Sequence, residues 1–128
     1  MCGGIRYELT AVPYRAGWCH CTRCRRRTGT PASVSARVVP GSLRIVAGEA
    51  LLRSWQPGDG WAKVFCSRCG SQMWSQNPRE PEAVSVRMGS FDADPGVRPS
   101  YHQFVNYAAP WAPLPDDGLP RYPERHPG

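Results

Sequence analysis

A chain of 128 residues is long enough for one hydrophobic core and too short for two independent ones. Its 14 Pro and 13 Gly exclude an architecture of long helices and favour short elements joined by turns. The net charge of +6 is carried almost wholly by arginine, Lys63 being the only lysine, which suits planar recognition of carboxylate or phosphate.

In chain order, "GIRYEL" (4–9) alternates apolar and polar residues as a half-buried strand does. "TRCRRRTG" (22–29) is the one short helical turn, stopped by Gly29. "ASVSARVV" (32–39), "LRIVAG" (43–48) and "LLRSWQ" (51–56) are further short strands. "GWAKVFC" (60–66) runs into a Cys pair and "SQMWSQ" (71–76) runs out of it, the strand–knuckle–strand outline of a zinc ribbon. "EAVSVRMGSF" (82–91) and "SYHQFV" (100–105) add two strands, and from Pro110 a proline-punctuated extended tail is expected to lie over the body. The expected fold is therefore all-β, one domain spanning 1–128, with a short helical turn and an extended C-terminal tail. There is neither an apolar run of about 18 residues to cross a membrane nor a charged-then-apolar export segment, so no membrane partner and a cytoplasmic location are expected.

Six cysteines in a reducing compartment point to metal ligation rather than disulfides. In "FCSRCG" the C-x-x-C turn aims Cys66 and Cys69 at one point, with Gly70 free to take the conformation the turn needs. In "CHCTRC", Cys19 and Cys21 fall on one face of an extended segment, and Cys21 and Cys24 form a second knuckle. Three thiolates there leave a fourth position open, the arrangement of a catalytic rather than a closed structural site. His20, between two ligands, should face away from their metal. Cys2 is the one cysteine left over, and ligand counting joins it to Cys66 and Cys69. Water, the α-amino group or a side chain would then have to fill the fourth place.

The motifs "CGGIRYEL", "CHCTRCRRRTG", "FCSRCGSQMWSQ", "VRMGSFD", "HQFV" and "APWAPLPDDGLPRYPE" resemble, in that order and over essentially the whole chain, the glutathione-dependent formaldehyde-activating (GFA) family, which includes centromere protein V-like proteins. The resemblance implies a small zinc-bound β-sheet fold, the β-tent. It implies two zinc ions, a structural one at Cys2, Cys66 and Cys69 and a second at Cys19, Cys21 and Cys24. The family's first motif is C-x-C-G, of which Cys2-Gly3 matches only the second half. The expectation is that the chain as given begins at the x position and lacks a few N-terminal residues, leaving the structural site incomplete.

The activity implied is that of a carbon–sulfur lyase of the S-hydroxymethylglutathione synthase type, joining formaldehyde to glutathione or a related thiol. The thiol and the aldehyde are the expected partners. Arg25, Arg27 or His102 would hold the thiol's carboxylates or steady the developing alkoxide, while Trp74 and Trp111 read as core. The alternative function is a non-catalytic, zinc-dependent module binding nucleic acid or protein through its arginine-rich knuckle. Thiolate charge on zinc would offset much of the positive surplus, so nucleic acid is not the expected partner. Methionine sulfoxide reduction is set aside because no cysteine follows Cys69.

Overall fold

The computed structural model describes all 128 residues. It contains nine strands, β1 (Arg6–Leu9), β2 (Tyr14–Cys19), β3 (Ser33–Arg37), β4 (Leu43–Ala47), β5 (Leu52–Trp55), β6 (Ala62–Cys66), β7 (Gln72–Gln76), β8 (Val84–Arg87) and β9 (His102–Gln103). One α-helix, α1 (Thr22–Thr28), and three single 3-10 turns complete the regular structure. The expected all-β class holds.

Strands β1 and β4 form a small antiparallel ribbon, and the other seven form one sheet in the order β5-β6-β7-β8-β3-β2-β9. Every pairing in the larger sheet is antiparallel except β2 with β9. The alternation of side chains along each strand decides which residues are buried. Val64 pairs with Trp74, Trp74 with Val86, and Val86 with Ala36, so an apolar row crosses four strands on one face. That face and the β1–β4 ribbon enclose the core of Ile5, Val38, Val64, Cys66, Met73, Trp74, Val84 and Val86. The ribbon contributes Tyr7, Leu9, Leu43 and Ile45.

One residue along, Lys63 pairs with Ser75, Ser75 with Ser85, and Ser85 with Arg37. Directly opposed residues share a face. The second face of the sheet is therefore a row of cations and hydroxyls, against which α1 lies.

Strand β2 was not among the expected elements. Arg15 sits at φ 50 where the pairing with β3 slips between Tyr14 and Gly17. The bulge buries Ala16 and Gly17 in succession, so the strand carries no alternation to detect. The tail behaves as expected. Tyr122 N–H donates to the His102 carbonyl (2.8 Å), His102 N–H to that of Pro120 (2.8 Å), and Phe104 N–H to that of Glu124 (2.8 Å). Trp74 is core as expected, 4% exposed. Trp111 is not: it is 67% exposed, because the proline-rich tail carries it outside both sheets.

Candidate functional site

Both cysteine groups that spacing singled out come together in space. Cys2, Cys66 and Cys69 form one triad and Cys19, Cys21 and Cys24 another, the three sulfurs of each lying within 4.8 Å of one another. All six thiols are free. A tetrahedral zinc with Zn–S near 2.3 Å holds its sulfurs about 3.8 Å apart, and Cys2 Sγ lies 3.8 Å from Cys66 Sγ. Donor type and spacing thus fit zinc in both triads, each supplying three ligands and no fourth His, Cys, Asp or Glu.

The first triad is built into the core. Cys66 ends β6, is 2% exposed and packs with Val64 and Met73. The turn to β7 is closed by Gly70 N–H donating to the Cys66 carbonyl (2.8 Å). Gly70 stands at φ +76, a conformation that side-chain-bearing residues rarely adopt. The Ser71 hydroxyl lies 3.1 Å from Cys69 Sγ. Hydrogen bonds from Ser71, by hydroxyl and backbone N–H, bring the Cys69 thiol down to about 5, with Cys2 adding to the effect. A cleft of about 1170 Å³ runs along β1 to the 87–95 segment and has this triad at one wall.

The second triad lies where β2 meets α1. Cys19 closes β2, Cys21 caps α1, and Cys24 stands in its first turn and donates its N–H to Cys21 Sγ (3.3 Å). Hydrogen bonds from Cys19 and Cys21, then from Ser33, push the Cys24 thiol well below its ordinary range, and the Arg87 guanidinium adds to this. The same sharing with Cys21 and Cys24 pushes Cys19 upward. Three sulfurs this close favour one thiolate held by two thiols until a cation replaces the protons.

Of the residues expected to touch substrate, Arg27 lies with its guanidinium 5.6 Å from the Phe65 ring. Burial lowers its pKa, and Arg87 lowers it further. Arg25 instead donates to the Tyr107 carbonyl (2.7 Å), tying α1 to the 105–107 turn. His102 is 1% exposed and both ring nitrogens are engaged, Nδ1 with His20 Nε2 and Nε2 with Asp117 Oδ2, each at 2.8 Å. It therefore has no nitrogen left for a substrate, a correction that follows from the β2–β9 pairing setting Trp18 and His102 side by side. His20 turns into this buried chain rather than toward the sulfurs, as its place between two ligands implied. Asp117 was not foreseen, being hidden in the tail's "PDDG".

The class defined by fold and site is a mainly β protein carrying two cysteine triads suited to zinc, one in the core and one on a polar face. Comparison with known proteins places it within that class. The glutathione-dependent formaldehyde-activating enzyme family matches residues 1–107, and the chain belongs to that family. A Halomonas elongata protein, named provisionally as a glutathione-dependent formaldehyde-activating enzyme, is 29% identical over 102 residues, 73% of this chain. The match spans 63% of that relative's length. A Rhodobacter sphaeroides protein of known crystal structure superposes with a TM-score of 0.60 at 25% identity, covering 94% of both chains.

Proposed function

We propose that this protein joins a small aldehyde such as formaldehyde to glutathione or a related thiol, a carbon–sulfur lyase reaction, at Cys19, Cys21 and Cys24. The observation that carries the reading is the contrast between the triads. Both triads offer three sulfurs without a fourth protein donor, but Cys66 is sealed in the core, whereas the second triad, at the junction of β2 and α1, has no buried member. Cys2, Cys66 and Cys69 hold the structural zinc, and Cys19, Cys21 and Cys24 the second, within one domain.

Zinc in the second triad supplies Lewis acidity that lowers the pKa of a thiol brought to it. The chain's own residues prepare the ground for that thiol. Ser33 and the Cys24 N–H donate to the triad's sulfurs, and Arg87 and Arg27 keep the site positive toward an anionic nucleophile. The sulfur then attacks the carbonyl carbon. A C–S bond forms, the carbonyl electron pair moves to oxygen, and that oxygen takes up the proton the thiol gave up. Thiol and aldehyde together equal the hydroxymethyl thioether, so no oxidant or reductant is required. His20, His102 and Asp117 hold the Cys19–Cys21 segment against β9 and the tail.

Metal content and turnover of Cys24→Ser and Cys69→Ser test this. Cys24→Ser should keep the fold, lose only the second ion and lose at least about a hundredfold in glutathione-dependent formaldehyde consumption above the uncatalysed rate. Cys69→Ser should lose the structural ion and the soluble fold. Equal collapse of both variants would make the second triad merely structural. The other reading, a non-catalytic module, draws on the cations facing α1. It predicts duplex or single-stranded nucleic-acid binding whose affinity falls steeply with salt.

A further inference from the structure

The three sulfurs of the second triad come from two elements, β2 and α1, that meet at Cys21. Cys19 and Cys21 are separated by a single residue, so their sulfurs share a face only while the backbone at His20 stays extended. The His20 ring turns away from them, and its Nε2 meets Nδ1 of the buried His102 at 2.8 Å. A carboxylate can only accept, so His102 Nε2 donates to Asp117 Oδ2 (2.8 Å). In the neutral ring Nδ1 is then the acceptor for the His20 N–H, and every link has one direction. The far end is fixed as well. Leu119 N–H donates to Asp117 Oδ1 (3.1 Å), and the Trp18 ring lies nearly parallel to that of His102, 12° between their planes.

Cys24 is tied down on the other side of the triad. Arg25, its neighbour in α1, donates to the Tyr107 carbonyl (2.7 Å). The 105–107 turn is bonded to the tail in its turn. Val105 N–H donates to the Tyr122 carbonyl (3.1 Å) and the Tyr107 hydroxyl to Glu124 Oε1 (3.1 Å). Both arms of the triad therefore end on one layer, made of β9, the 105–107 turn and residues 117–124. No cysteine lies in that layer. Burying two imidazoles against a carboxylate costs free energy that apolar packing would not. What the polar chain adds is a single allowed arrangement, because each donor has one acceptor to meet.

We propose that the C-terminal tail sets the geometry of the second metal site, Asp117 and His102 acting through His20, and Arg25 through the 105–107 turn. These are positioning residues. Removing them leaves all three sulfurs present but lets Cys19, Cys21 and Cys24 shift relative to one another, which weakens their hold on an ion. The proposal rests on the reading that this triad holds zinc and is independent of the reaction carried out there.

Metal affinity and cobalt spectra of the full chain test this. Zinc-loaded protein is titrated with a chelator, and the second ion is the one whose release Cys24→Ser lacks. In a parallel preparation cobalt replaces zinc. The difference between wild type and Cys24→Ser isolates the visible bands of the second site, which report its geometry. Asp117→Ala and Arg25→Met should each weaken the second ion about tenfold or more, the usual effect of losing an outer partner of a metal site, and shift its cobalt bands. The first ion should be unaffected. Asp117→Asn keeps an oxygen that can accept from His102, so its second-ion affinity should stay within about threefold of wild type despite a lower melting temperature. Ile45→Ala, a truncation in the β1–β4 ribbon, lowers stability without touching β2, α1 or the tail. Its second ion and cobalt bands should match wild type. Circular dichroism establishes that each variant is folded, and Arg25→Met decides if Asp117→Ala does not fold.

Unchanged affinity and bands in folded Asp117→Ala and Arg25→Met overturn the positioning role and leave the triad a metal site. Weakening by Ile45→Ala equal to that by Asp117→Ala overturns it too, since lost stability alone would then account for both. If Cys24→Ser releases the same ions as wild type, the triad holds none and both readings fall. If the tail variants loosen the second ion while wild type shows no thiol–aldehyde turnover, the tail's role stands and the lyase assignment falls.

Discussion

At the scale of single residues, Gly17 is the position where the smallest change should register. A Cβ built there would stand 2.2 Å from the Tyr101 ring, so the ring occupies the space a side chain would take. Tyr101 in turn packs against the His126 ring, their centroids 4.2 Å apart and the planes tilted by 44°, so it cannot simply swing aside. Gly17→Ala should therefore destabilise the protein by about 1–3 kcal/mol, the cost of overpacking. Tyr101→Ala in the same chain should relieve most of that increment. A double-mutant cycle by urea denaturation reads the coupling, and strictly additive changes would show that Tyr101 is not the obstacle. Nothing in the local sequence singles out Gly17. The reason for the glycine lies 84 residues downstream, and no local rule reaches that far.

At the scale of elements, the tail acts as a strand. Residues 117–124 supply backbone partners to β9 and the Asp117 carboxylate to His102. The Asp117 pKa is lowered first by the hydrogen bond from His102 and then by the Leu119 N–H. A carboxylate with a depressed folded-state pKa contributes stability that is fully present above its unfolded value near 3.9 and is lost as pH falls through the folded one. Asp117→Asn should thus melt a few degrees lower than wild type at about pH 6. The difference should begin to shrink below about pH 4 and vanish only once pH has fallen through the depressed folded pKa, where the Asp117 carboxyl too is neutral. Melting curves across that range decide it, and a difference that stays constant to about pH 3 would mean the carboxylate's charge is irrelevant.

This same comparison of elements shows what spacing and alternation could reveal. The strand–knuckle–strand unit of β6 and β7, the short α1 and the run of β3, β4, β5 and β8 were visible because each has local periodicity or a Cys-spacing signature. Both triads were visible for the same reason, down to Cys2 being assigned by elimination. Lys63, Arg37 and Arg87 were not. Their convergence depends on which strands pair and in what register, and β2, the element that joins the second triad to β3, is a bulged strand without alternation. The buried chain from His20 through His102 to Asp117 was hidden for a related reason, since its members stand on β2, β9 and the tail.

For the molecule as a whole, the core is small. Only 18 of 128 residues are buried, and one of the largest fully buried side chains is Cys66 of the first triad. Structural zinc in small domains contributes about 10–16 kcal/mol, as much as or more than the net stability of about 5–15 kcal/mol typical of a folded domain. Stripping metal should therefore occur in two phases under increasing chelator. The ion of the Cys19, Cys21 and Cys24 triad should leave first with the melting transition largely retained. Loss of the ion at Cys2, Cys66 and Cys69 should abolish the transition. Metal quantification alongside calorimetry measures both, and a single cooperative loss would show that the two sites share one folding unit energetically.

The joining of Cys2 to Cys66, 64 positions apart with sulfurs 3.8 Å from one another, has a consequence for biosynthesis. As the chain emerges from the ribosome, Cys2 is exposed long before its partners exist. Cys19, Cys21 and Cys24, six positions from first to last, can capture an ion while most of the sheet is still unmade. The local triad is thus the one a nascent chain can fill early, and the core triad must wait for β6 and the knuckle after it. Correct maturation of the fold would then depend on metal reaching the core triad after β6 and its knuckle have emerged, not on early capture at the local triad.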